Sequence, residues 1–421
     1  MKLQTPENEN YAATVVTLKQ FVELEGMENL KGTPIFGFQA VVSKDTPEGA
    51  TGIVFPAETQ LSEEYAGWNN LYRHGDRNAD EGSKGYLEDN SRVRAVKFRG
   101  HRSDCLFMPL ESLNYIKGFD PSKLEEGDTF DRIGDHEICR KYVVKRKNSE
   151  ARLEKNKEKF IRVDKKFLPE HHVTDNFFRN IDVIPDEREV IITQKLHGTS
   201  IRIGNTVVLR KLGLADRLAK LIGAKVATYD YDYVFGSRHV IKDPHNPNQN
   251  HFYSTDIWTE EGAKLEGSIP QGYLLYGELL GWTKEGAAIQ KNYTYTIPHG
   301  TCELYIYRVA TVNSEGFVCD LSWDQATEFC RDRGLKTVPE LWRGKYKDVK
   351  ENVQKWFCDV KFTELGYQQA IPCDPESPCD EGVCIRVDGI APYISKAKSP
   401  LFLEHETKML DEEALDLEAE G

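Results

Sequence analysis

Between Arg140 and Lys166 the chain carries twelve lysines and arginines against four acidic residues, a local balance of 12 − 4 = +8. A stretch this charged is a poor candidate for a core of its own, and it separates two blocks whose β patterns differ. The chain therefore reads as two folded units joined by a basic linker over 141–180, charged and helical or irregular. Its 421 residues suffice for two or three domains with full cores. The whole chain is acidic, with a net charge of −13, which speaks against a general polyanion binder. The distribution matters more than the sum. A basic segment can track a phosphate backbone locally, and it can equally be a solvated helix between domains.

The first block, residues 1–140, is a series of short β-type runs: "YAATVVTLKQFV", "IFGFQAVVS", "TGIVFPA", "RVRAVKFRG" and "CLFMPL", punctuated by Gly, Pro, Asp and Asn. That pattern predicts a small β-barrel. In "SRVRAVKFRGHR" the cations Arg92, Arg94, Lys97, Arg99 and Arg102 are interleaved with Val93, Val96 and Phe98. Alternation gives a strand one side for the core and one for solvent, so these five are candidate nucleic-acid contacts. Charge protecting an ordinary strand edge looks similar.

From about residue 181 the strands lengthen: "REVIITQKL", "TSIRIGNTVVL", "GYLLYGELLGW", "TCELYIYRVA" and "EGVCIRVDG", with helices expected near 322–334 and 347–365. Strands and helices in irregular order predict an α+β domain over 181–408. An acidic tail, 409–421, follows, and the last 17 or so residues read as a short amphipathic helix that frays. The first residues show no basic segment followed by an apolar run, so no secretory signal is expected, and no run of about 18 apolar residues suggests a membrane span. The nine cysteines include no CxxC pair, and Cys373, Cys379 and Cys384 fit neither a zinc ribbon nor a finger. They predict reduced structural thiols in a cytoplasmic protein.

Four stretches of the second block carry chemistry. Lys195 ends an apolar strand and runs into "HGTS". An amine with an ordinary pKa of about 10.4 becomes nucleophilic when desolvated or set among cations. Gly198 allows close backbone approach, and Thr199 and Ser200 are short donors suited to phosphate. Glu278 and Glu381, each beside glycine at a β run, suit the surroundings of a divalent metal near phosphate oxygens, although a solvated cap is the commoner role of such an acid. Lys396 and Lys398 stand at strand period and can face one side, towards a pentavalent phosphorus centre or simply along an exposed edge.

In order, these elements resemble the covalent nucleotidyltransferase superfamily of polynucleotide ligases and capping enzymes. "KLHGTS" is similar to the nucleophile motif of template-directed RNA-repair ligases, with His197 in place of the usual aspartate. "VFGSRHVIK" resembles the next element, where Ser237 and Arg238 stand at a nucleic-acid contact. "YGELLG", "ELYIYRVA", "EGVCIRVDG" and "SKAKS" resemble the remaining motifs. The amino-terminal block and "FLPEHHVTDNFFRNI" resemble the OB-fold module and inter-domain segment of the Deinococcus-type RNA ligase family. Arg308 departs from the pattern, in which an acid is usual, and residues 311–380 are longer than expected.

The resemblance implies ATP as AMP donor and Mg²⁺ or Mn²⁺ as metal, with Lys195 as nucleophile and Glu381 holding the ion. Lys396 and Lys398 would hold the α-phosphate, with His197, Gly198, Glu278 and, less securely matched, Arg202 as nucleotide contacts. Tyr307, or failing that Tyr305, would stack on adenine. The implied partner is a nicked duplex with RNA on the 3′-hydroxyl side. DNA ligases and capping enzymes carry their OB domain after the paired lysines. Here 421 − 398 = 23 residues follow Lys398, too few for such a barrel. An ATP-dependent DNA ligase and a catalytically degenerate nucleic-acid-binding protein remain the alternatives.

Overall fold

The computed structural model describes residues 2–143, 162–243 and 255–412. Most of the basic stretch, 144–161, and the end of the acidic tail lie outside the described residues. In the amino-terminal block, the strands Ala13–Thr17 and Thr51–Pro56 are apolar in succession because both faces of their sheet are covered. Ala13, Val15, Ile53 and Phe55 point into one core with Tyr65, Leu113 and Phe130. Val16 and Val54 point the other way, into a second core with Ala40, Val42 and Cys105. Tyr65 belongs to the helix Glu63–Trp68, whose amino end is capped by the Ser62 hydroxyl accepting from the Tyr65 amide.

The expected closed barrel does not form among the described residues. The sheet runs Thr129–Phe130, Ala13–Thr17, Thr51–Pro56, Cys105–Pro109, Phe38–Ser43, Leu30–Ile35, Val22–Glu23, an open path of seven strands. Both end strands are two residues long, too short to supply the ladder that would close it. "SRVRAVKFRGHR" is also not one long strand. It folds back as the hairpin Val96–Phe98 and His101–Ser103, with Arg99 and Gly100 at φ 47° and 89° in the turn.

The second block contains two facing sheets. The five-stranded one runs Asp175–Asn176, Tyr393–Lys398, Gly382–Val387, Glu189–Lys195, Glu340–Lys345. The other runs Tyr229–Gly236, Thr199–Leu209, Tyr273–Gly281, Cys302–Val312, Val318–Asp320, with Lys336–Thr337 also paired to Cys302–Val312. The long strands fall where the apolar runs place them. The helix Trp323–Arg331 also matches, with a reciprocal Ser322–Gln325 capping box. The helix expected over 347–365 shrinks to 3₁₀ turns and the five residues Val353–Phe357. These serve as backing: Tyr346, Val353, Phe357 and Phe362 pack with Val190, Ile192 and Val383 behind the five-stranded sheet.

Two segments expected to be peripheral are packed. The carboxyl-terminal part of the 141–180 linker buries Val163, Phe167 and Leu168 in one core and Phe177 in another. The helix Pro400–Asp411, capped by the Ser399 hydroxyl, begins two residues after Lys398 and takes in the first residues of the expected tail. Its Leu403 packs on Ala57, Ala95 and Phe38 of the amino-terminal block, while Phe402 enters a core of the second. Among the described residues no helix is long and apolar enough to cross a membrane.

Candidate active site

"KLHGTS" is the corner at which the chain leaves one sheet for the other. Lys195 ends Glu189–Lys195 in the five-stranded sheet, and Thr199 starts Thr199–Leu209 in the six-stranded one. Backbone and packing hold the corner tightly. The His197 amide donates to the Tyr295 hydroxyl at 2.6 Å, and the Gly198 amide donates to Glu278 Oε1 at 3.1 Å. A Cβ on Gly198 would sit 2.2 Å from the Leu279 carbonyl oxygen, so only glycine passes.

Register supplies one wall of a cleft between the sheets. Lys195 pairs with Gly382 and Gly382 with Lys398; one pleat along, Thr193 pairs with Cys384 and Cys384 with Lys396. Thr193, Lys195, Cys384, Arg386, Ile394 and Lys396 therefore share a face, and all line the cleft. Ser200, Glu278 and Tyr307 line the opposite wall, with His171, His172 and Arg238 at its edge. The space between the walls, which opens to solvent, is about 830 Å³.

The Lys195 ammonium lies 2.7 Å from the fully buried Glu381 carboxylate, which is 3.3 Å from Lys398 Nζ and 3.9 Å from His197 Nδ1. Lys398 also lies 3.3 Å from Glu406. Tyr307 is aimed by a bulge: Gly277 pairs with Ile306 but Tyr276 with Arg308, leaving Tyr307 as the extra residue. Its ring meets His171 edge-on at 4.9 Å. Tyr305, the second choice from sequence, is instead held by the Glu303 carboxylate at 2.6 Å and is not a wall residue. Burial, with Arg308 and His172 beside it, pushes His171 well below the usual histidine pKa, so its ring is neutral at pH 7.

The structure thus brings together Lys195, Glu278, Tyr307, Arg238 and Lys396 around one cleft, with Glu381 in contact with both Lys195 and Lys398. Other expected residues stand elsewhere. Arg202 is buried behind the wall, donating from Nε to the Ser237 carbonyl and from Nη1 to the Leu168 carbonyl, both at 2.7 Å; it braces the sheet and does not line the cleft. The His197 ring turns away, packing on Tyr293 at 5.2 Å and Phe402 at 4.9 Å. Gly198 shapes the corner and is not a wall residue. Arg308, which departs from the motif, pairs with Asp320 and lies 4.3 Å over the Tyr276 ring.

The basic strip of the first block is largely neutralised internally. Arg92 is fully buried, 2.9 Å from Asp411 and 3.5 Å from Glu58, and donates to the Thr407 carbonyl at 3.0 Å. Arg94 pairs with Asp411 and Glu88, Lys97 with Glu404 at 2.7 Å, and Arg102 with Asp104 and Asp359. Only Arg99 has no acidic partner among the described residues; it donates to the Gly26 carbonyl at 3.2 Å. Arg92, Arg94 and Lys97 thus form a seam to the helix Pro400–Asp411, whose Glu404, Thr407 and Asp411 lie too far along the chain to be seen in local alternation.

Sequence reasoning missed His171, His172 and Arg386. The adjacent histidines were legible in "PEHH", but they sat in a segment read as linker. Arg386 shares strand parity with Gly382 and was overlooked beside Glu381.

The RNA ligase family model matches residues 188–398, half of the chain, and the chain belongs to this family. No curated protein sequence matches it. Among solved structures it resembles a Naegleria gruberi RNA ligase with PPi, at a TM-score of 0.61 and 16% identity over 94% of this chain and 98% of that one. A lysine-to-methionine variant of that ligase with AMP and Mn gives 0.59 and 15%, covering 93% and 98%. A lysine-to-alanine variant with ATP and Mn gives 0.58 and 15%, covering 94% and 98%. At such identities the likeness concerns the fold.

Proposed function

We propose that this RNA ligase is ATP-dependent and seals 3′-hydroxyl/5′-phosphate nicks in RNA repair through a lysyl-AMP intermediate. The observation that carries the reading is Lys195 Nζ at the sheet-to-sheet corner, touching Glu381 and sharing a cleft face with Lys396. In the first step Nζ forms a bond to the α-phosphorus of ATP while the bond to the β-phosphate oxygen breaks and pyrophosphate leaves. In the second, a 5′-phosphate oxygen displaces Nζ from that phosphorus. In the third, a 3′-hydroxyl attacks the activated end and AMP departs.

This chain's residues do mostly positional and electrostatic work. Lys396 and Lys398 neutralise the α-phosphate, Tyr307 faces the base, and Glu278 orients the nucleotide while holding the Gly198 amide. The solved relatives with ATP or AMP also hold Mn. Among the described residues no group of three or more His, Cys, Asp or Glu stands together, so a divalent ion would need phosphate oxygens and water beside the Glu381 carboxylate. A hard cation accepts that donor set. Attack requires the free amine; a divalent ion on Glu381 would compete with its 2.7 Å contact to Lys195 and would stabilise the phosphate charge. His171, neutral and against Tyr307, needs no counter-charge in the base pocket.

The amino-terminal unit, residues 1–140, is proposed as an OB-type nucleic-acid module, with 181–408 as the adenylyltransferase domain and RNA required on the 3′-hydroxyl side of the nick. The proposed setting is the cytoplasm. Incubation with α-labelled ATP and Mg²⁺ should leave an acid-labile label on the protein that Lys195→Ala abolishes. An adduct that survives this substitution, or none on the unaltered protein, overturns the proposal. Matched nicks differing only in the 3′-hydroxyl strand should seal faster with RNA than with DNA.

A further inference from the structure

Three hollows lie in succession across the boundary between the two units, each sharing a lining residue with the next. The nucleotide cleft shares Lys396 with a second hollow of about 530 Å³, which also touches Lys398, Phe38 and Phe178. That hollow shares Phe36 with a wide groove of about 1440 Å³ over the strand Ala13–Thr17, where Lys19 and Arg179 stand among Glu9 and Glu126. A single small molecule does not need such a path. An extended chain does.

At the junction stands the turn Phe36–Gly37. Ile35 pairs with Phe38, so these two residues alone make the hairpin, at φ 52° and 79°. Turns of this kind want positive φ at both positions, which Gly or Asn adopts readily and Phe does not. Gly37 is required by packing, since a Cβ there would lie 2.4 Å from the Phe178 ring. Phe36 is only half-buried: it packs at the edge of the core of Val16, Ile35 and Val54, the Arg179 guanidinium lies 6.0 Å from its ring, and it borders both hollows. A ring kept at positive φ, bordering two hollows of which one shares a lysine with the cleft, is suited to a base on one side and a phosphate on the other.

We propose that the second hollow receives the terminal nucleotide of the phosphate-bearing RNA strand, its base stacked on Phe36 and its 5′-phosphate directed to Lys396. The strand then leaves over the wide groove. This assignment rests on the ligase reading and deepens it. It brings the 5′-phosphate to the lysyl-AMP through the residue the two hollows share. One phosphate oxygen bonds to the AMP phosphorus as the phosphorus–Nζ bond breaks, and Nζ keeps the electron pair and takes up a proton.

The test separates the two transfers in the full-length protein. Lysyl-AMP is formed with α-labelled ATP, free nucleotide is removed, and label transfer to a subsaturating 5′-phosphorylated RNA nick is timed. Phe36→Asn keeps a residue that accepts positive φ, and Phe36→Gly is a second variant that spares the turn. Both should form lysyl-AMP within about twofold of the unaltered rate and transfer it at least about tenfold more slowly, as loss of one stacking platform implies. Phe36→Tyr should restore transfer. Unchanged transfer in the Asn and Gly variants overturns the assignment, as does a Tyr variant no better than Asn. If lysyl-AMP formation falls in step with transfer, the hollow serves the ATP phosphates and the assignment is again wrong. No lysyl-AMP on the unaltered protein would instead sink the ligase reading itself.

Discussion

Two stretches of this chain, "SKAKS" and "SRVRAVKFRGHR", look alike as sequence: cations at strand period, small or apolar residues between. In the structure they do opposite things. Lys396 lines the cleft and Lys398 meets Glu381 beside Lys195. Arg92, Arg94, Lys97 and Arg102 are spent on Glu58, Glu88, Glu404, Asp411, Asp104 and Asp359. Period 2 says which residues share a face; it does not say what that face meets. The helix Pro400–Asp411 makes the difference, because it directly follows the first stretch and covers the second.

The comparison is broken most severely at the lysines. Lys396→Ala and Lys398→Ala should each lower lysyl-AMP formation by about 10²–10³-fold, the usual loss when a pre-placed cation or donor is taken from a charge-developing centre. Arg99→Ala should change it less than about twofold. Single-turnover labelling with α-labelled ATP measures both; equal effects would mean that the two stretches are not distinct in function. Next in size is Arg92→Met. It strips Glu58 and the Thr407 carbonyl of a buried partner, and should cost about 3–5 kcal/mol of stability, as loss of one member of a buried pair does. Urea unfolding would read this, and lysyl-AMP formation per folded molecule should stay unchanged.

How much of this was legible depends on how local the determining contacts are. The five long strands of the second block are set by runs rich in apolar and β-branched residues, and the structure places them within a few residues. Tyr307 as cleft residue was the favoured choice from sequence, yet the bulge that aims it, between Tyr276 and Gly277, has no local signature. Arg202 was misread because strand parity puts it on the face of Ser200, whereas its long side chain reaches carbonyls at Leu168 and Ser237. Barrel closure failed for a similar reason, since it depends on end strands that local patterning does not specify. The 163–177 segment looked like linker because it continues the basic run and scatters its apolar residues among charged and polar ones, although Phe167, Leu168 and Phe177 are what the core uses.

Within the seam, Asp104 sharpens the contrast with the cleft. Burial pushes its carboxyl up to about 6, despite Arg102 at 3.4 Å and the Gln39 amide. A folded-state value above the unfolded one means that the folded chain holds the proton more tightly, so stability falls as pH rises from about 4 to 6. Asp104→Asn keeps an acceptor for the Gln39 amide and cannot ionise. It should match the unaltered protein near pH 4 and exceed it by about 3 kcal/mol at pH 7. Melting curves across that window check the sign: a variant less stable at pH 7 would mean that the Arg102 pair outweighs desolvation.

The smallest expected effect is the most direct test of whether the seam binds nucleic acid. Lys97 is part-exposed and its partner Glu404 also meets Lys408 at 2.9 Å, so Lys97→Ala should cost about 0.5 kcal/mol of stability or less. Its consequence for RNA is the decisive part. A lysine that neutralises a backbone phosphate releases counterions, and removing it lowers the salt dependence of binding by about one unit of slope. Lys97 is already neutralised by Glu404, so the slope of RNA affinity against salt should be the same in the Lys97→Ala variant as in the unaltered protein. A slope reduced by about one would show that Lys97 exchanges Glu404 for phosphate when RNA arrives, and the seam would then be a second RNA contact, opened by movement of the helix that covers it.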